Sequence, residues 1–112
     1  ELSVGDLKRI LVEPKNSIVQ QYQELFAMDG VSLAFTESAL ERIAEKAKDM
    51  GMGARGLKSV VDQPMVDLMF ELPSFKGITE VAVGDEFFSA SHEVVATKTD
   101  GTTERIPLLE SA

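Results

Sequence analysis

The stretch GMGARGLKSV, residues 51–60, sets one arginine between two glycines where a helical pattern begins. Glycine costs about 1 kcal/mol relative to alanine inside a helix, so Gly53 and Gly56 need a reason. Two are open. The stretch is turn chemistry between helices, or it is a corner where backbone and guanidinium come close to a group outside this chain.

Downstream, Leu57, Val60, Val61, Met65, Leu68, Met69 and Leu72 hold helical spacing from about Ala54. Pro64 falls inside that pattern, removes one intrahelical bond and crowds the carbonyl one turn back, which predicts a kink over 60–63. Pro73 and Ser74 end the helix. Upstream, Thr36 is a good N-cap for a helix whose inner stripe is Leu40, Ile43, Ala44, Ala47 and Met50. Ser3 and Asp6 fit a capping box for a first short helix, closed near Val12 by Pro14. Pro14 then suits the first turn of a second helix, whose stripe of Ile18, Val19, Tyr22, Leu25 and Phe26 runs to about Met28. Between Asp29-Gly30 and Thr36 lies a short extended piece.

The last third changes period. Ile78–Val83 and Glu93–Lys98 are rich in β-formers, and Asp100-Gly101 is a turn signal with Thr103–Leu108 as the returning strand. Pro107 places that strand at an edge. The expected fold is α+β: four helices, then a small antiparallel β element with a C-terminal hairpin. All of 1–112 reads as one domain.

Composition agrees. The 112 residues are 44% apolar and 27% charged, ordinary for a soluble globular chain. There is no apolar run of about 18 residues to span a membrane and no signal-peptide pattern. Cysteine is absent, which excludes disulfides and thiolate metal sites and suits a cytoplasmic setting. A formal charge of -8 disfavours nucleic acid. The chain starts at Glu1 without methionine, as an excised piece of a longer protein would.

Few residues carry chemistry. Gly51 and Gly56 have P-loop spacing, but Leu57 stands where the lysine should and a helix precedes them, so no phosphate-cradling loop is present. His92 is the only histidine and reads as a loop or strand-edge residue rather than a metal ligand or triad base. Glu37, Glu41, Glu45 and Asp49 share a helical face with Arg42, Lys46 and Lys48 near by, a solvated mixed-charge face. Met65 and Met69 read as core. No catalytic or metal-binding residue is expected.

Arg55 is different. A helix start attracts anions, so a cation there gains nothing from the helix itself. It makes sense if the helix end and the guanidinium share one anion, and a phosphate chain matches a guanidinium's forked donors.

In ILVEPKNSIVQQYQELFAMDGVSLAFTESAL (10–40), GARGLKSVV (53–61) and DLMFELPS (67–74), the chain resembles the C-terminal small domain of the ClpX family of AAA+ unfoldases. The likeness covers about residues 2–84; residues 85–106 match poorly and look like an insertion. The resemblance implies that Arg55 is the sensor II arginine, facing the phosphates of ATP held with Mg by a large domain. It implies that Leu2 lies at the hinge beside the adenine, and that Ile10 is near the same pocket. It also implies partners: the large AAA+ domain of the same and the neighbouring subunit, and a ClpP-like peptidase and unfolding substrates through the full-length hexamer. The P-loop, catalytic acid and pore loops of that family belong to the large domain, so the isolated piece should neither hydrolyse nor hold ATP. The alternative is a stand-alone adaptor or protein-interaction domain with a structural Arg55. A third reading, a small hydrolase using His92, needs a pocket around that residue.

Overall fold

The computed structural model describes residues 2–15, 17–74, 76–89 and 92–107. Helix α1 (Val4–Val12) starts at the expected capping box, with Ser3 and Asp6 exchanging hydrogen bonds of 3.1 Å in both directions. Those bonds hold the Asp6 carboxyl below its ordinary pKa. The cap is therefore complete above the unfolded-state value and is lost as pH falls through the lowered one.

Helix α2 (Ile18–Met28) begins later than Pro14 suggests. Ser17 is its N-cap and accepts from the Gln20 N–H at 3.3 Å, while the Pro14 carbonyl accepts from the Ser17 N–H in the connecting turn. A side-chain oxygen that reaches the third N–H decides the start more strongly than a proline that only tolerates it.

Strand β1 (Ser32–Phe35) leads into α3 (Glu37–Asp49), capped by Thr36 as expected. Ala39, Leu40, Ile43, Ala44 and Ala47 are its buried face. Met50 was expected on that stripe but is 47% exposed, because it is the C-cap where the chain leaves the helix axis for Gly51. Helix α4 (Ala54–Glu71) then runs through Pro64, which neither ends nor splits it. A 3-10 turn over Leu72–Ser74 follows.

Three more strands complete the domain: β2 (Ile78–Val83), β3 (Glu93–Lys98) and β4 (Thr103–Pro107). The sheet order is β1-β2-β3-β4. The hairpin β3–β4 turns at Asp100-Gly101 and leaves β4 at the edge, as read from Pro107. Leu108, the expected end of that strand, and Leu109 lie outside the described residues. The α+β class holds, and the sheet is mixed: the extended piece 32–35 pairs parallel to β2, with Leu33 opposite Val81. Two helices cross over between these strands, so a parallel partner is the natural geometry.

Leu33, Val81, Val83, Val94, Ala96 and Ile106 are buried on the sheet, and the stripes of the four helices join them in one core. Phe87, Phe88, Val94, Ala96 and Ile106 bring the segment after Gly84 into this core. Phe87 and Phe88, in a 3-10 turn over Asp85–Phe88 packed against α3, are buried edge to face with ring centroids 5.2 Å apart. A chain cut after Gly84 loses Phe87, Phe88, Val94, Ala96 and Ile106 together. Burial of each large side chain contributes about 1.5–3 kcal/mol. That truncation should therefore abolish the cooperative thermal transition in circular dichroism, which the 112-residue chain should retain.

Candidate functional site

The corner around Arg55 is built by the turn from α3 to α4. Gly51 and Gly53 both have left-handed φ, 70° and 63°. Gly53 is the N-cap of α4 with ψ at -139°, in a region that side chains other than hydrogen rarely enter. It offers no capping side chain, so the first N–H groups of α4 receive no side-chain cap.

Gly56 has another role. A Cβ built there would stand 3.2 Å from the Ala47 carbonyl oxygen and 3.3 Å from its Cα. The glycine lets α4 lie directly on the backbone of α3. Of the two reasons open in the sequence, Gly53 serves the turn and Gly56 serves helix contact. The missing side chain of Gly56 faces its own domain rather than a ligand, which corrects the reading in which both glycines open the backbone to an outside group.

Arg55, between them, is exposed, and among the described residues no carboxylate pairs with it. One turn on, the other charges of α4 are engaged. Lys58 pairs with Asp62 at 3.1 Å, and Asp62 accepts the Tyr22 hydroxyl of α2 at 2.7 Å. Burial, and then the Asp62 carboxylate, push the Tyr22 hydroxyl well above its ordinary pKa, so it stays a donor.

Leu2 reaches the same end of α3. The Lys48 Nζ, in the last turn of that helix, donates to the Leu2 carbonyl at 3.2 Å. At the other end of α3, Lys8 of α1 pairs with Glu37, which makes the two helices antiparallel. The Leu2 side chain is 36% exposed. Ile10 is half-buried against the core about two turns further along α1. Sequence reading treats Lys48 as part of a solvated charged face. Its bond to Leu2 spans 46 residues and has no local signature.

His92 lies in the loop before β3 with φ 48°, and its Nδ1 is 3.2 Å from the Phe87 carbonyl. Among the described residues, no group of three or more His, Cys, Asp or Glu side chains could hold a metal ion. None of their helices is long and apolar enough to cross a membrane.

Helices layered on a mixed sheet, with an exposed arginine at one corner, make this a small α+β domain. Residues 2–84 match the family described as the C-terminal, D2-small domain, of ClpB protein, and the chain belongs to that family. It is 47% identical over 91 residues to the ATP-dependent Clp protease ATP-binding subunit ClpX of Treponema denticola, covering 81% of this chain and 22% of that protein. The ClpX of Borrelia duttonii is 51% identical over 83 residues, 74% of this chain and 19% of that one. The ClpX 2 of Wolinella succinogenes is 43% identical over 94 residues, 84% of this chain and 24% of its own length. The chain thus spans about a fifth to a quarter of the length of these curated relatives, and it is the C-terminal small domain of a ClpX-like AAA+ protein.

The corner makes a sharp prediction about its glycines. Gly56→Val should lower stability by about 1–3 kcal/mol through overpacking on Ala47, and Gly53→Ala by about 1–3 kcal/mol through backbone strain. Gly5→Ala, where a Cβ meets only the Ser3 Oγ at 3.7 Å, should leave stability level or raise it. Urea unfolding of the three variants tests the set.

Proposed function

We propose that this domain is one half of a nucleotide sensor in an ATP-dependent protein unfoldase. The observation that carries the reading is Arg55: exposed, without a carboxylate partner among the described residues, and one residue inside the uncapped start of α4. Donor chemistry of this kind fits the phosphates of ATP. The large domain of the same subunit supplies the rest of the pocket and the Mg2+ ion. In this reading Leu2 lies beside the adenine where the two domains join, and Ile10 lines the same region from α1.

When bound, the triphosphate supplies an anion that Arg55 engages from across the domain boundary. Arg55 holds that anion by forked hydrogen bonds and does not itself activate water. Hydrolysis changes what Arg55 faces, so the two nucleotide states differ in contact energy. A conformational change requires such a difference. The angle at Leu2 then changes, and the small domain moves with it as a rigid piece.

The same reading docks the domain on the large domain of the neighbouring subunit in a hexamer. Phe70, 80% exposed near the end of α4, lies one turn from the exposed Val66 and supports a docking face there. The peptidase of the ClpP type and the unfolding substrates are met through the assembled ring.

In the full-length protein, Arg55→Ala should reduce ATP-driven unfolding of a folded substrate by about tenfold or more, as loss of a charge-assisted phosphate contact does. The circular dichroism of the variant domain should be unchanged, because the side chain is exposed. Undiminished degradation of a folded substrate by that variant overturns the role. Titration of the isolated domain with ATP in a calorimeter should show no binding in the micromolar range, since most of the pocket lies in the other domain.

A further inference from the structure

We infer that Lys48 is a positioning residue of the nucleotide site, tying the incoming chain at Leu2 to the end of α3 that presents Arg55. The inference rests on the nucleotide reading above and adds a residue to it. Three observations carry it. The Lys48 Nζ donates to the Leu2 carbonyl at 3.2 Å, across 46 residues of sequence. Immediately after Leu2, the mutual bonds of Ser3 and Asp6 fix the start of α1. Three residues beyond Met50, the C-cap of α3, the left-handed Gly53 starts α4 and places Arg55.

The chain is therefore held through the Leu2–Ser3 peptide, whose N–H donates to Asp6 and whose carbonyl accepts from Lys48. Ser3 and Asp6 fix its direction into α1, and Lys48 fixes its position on α3. Residues 2 and 55 belong to segments far apart in sequence, and only tertiary contacts register them. Lys48 supplies one from the helix whose C-terminus also sets the position of Arg55. Without it, a ligand that needs both residues must order the chain at Leu2 itself, and that ordering weakens binding.

The test is steady-state ATP hydrolysis by the full-length protein carrying Lys48→Met, which keeps an unbranched apolar side chain and removes the donor, and Lys48→Arg, which keeps a cationic donor. Lys48→Met should raise KM for ATP about threefold to tenfold, the loss of one hydrogen bond, with kcat changed less than about twofold. Lys48→Arg should bring KM back to within about twofold of the parent. Thermal melts of the domain should be the same for all, since Lys48 lies on the surface. An unchanged KM in Lys48→Met, or equal damage from Met and Arg, overturns the inference. Arg55→Ala is measured alongside. If it too leaves ATP turnover and unfolding intact, the nucleotide reading itself fails; if it is impaired while Lys48→Met is normal, only the role of Lys48 falls.

Discussion

The approach of α4 to α3 at Gly56 and Ala47 is the constraint on which this corner of the domain depends. A Cβ there would stand 3.2–3.3 Å from Ala47 backbone atoms, tighter than ordinary contact, so glycine lets the helices meet without a shift. That contact fixes the height and rotation at which α4 starts. The start of α4 in turn sets the base from which Arg55 extends. A residue whose own side chain is unconfined is thus located by a neighbour with no side chain at all. Rigid elements hold a side chain more accurately than a loop does, and the contact at Gly56 lies one residue from Arg55.

The same logic extends through the domain. Tyr22 ties α2 to α4 through Asp62, and Lys8 ties α1 to the start of α3 through Glu37. Beneath them, the sheet presents one apolar face built from all four strands. Its central strands come from both sides of the family match, which stops at residue 84. The matched region and the segment after it therefore share one core, and the boundary of the match is not a boundary of the fold.

What could be read from sequence was what is decided locally. The Ser3–Asp6 box, the Thr36 cap, the Asp100-Gly101 turn and the edge position of Pro107 are each settled within a few residues, and each stands where it was expected. Arg55 drew notice in the sequence because a cation at a helix start conflicts with the local dipole, and it stands exposed in the first turn of α4. The misreadings come from competition or distance. Pro14 loses to Ser17 because a real hydrogen bond outweighs mere tolerance. Met50 keeps the helical period but lies where the axis ends. The parallel pairing of β1 with β2, the contact of Gly56 with Ala47 and the grip of Lys48 on Leu2 join segments separated by whole helices. No periodicity in a single chain encodes such partners.

The outer strand has one further consequence. β4 closes the sheet with Pro107, which has no N–H to offer, and with Glu104 and Arg105, which are exposed and engaged in ion pairs with Lys98 and Glu86. An open sheet edge is a template for annealing to an identical edge. Wherever many copies of this domain are crowded side by side, these residues oppose strand-to-strand zippering, so that crowding need not become aggregation.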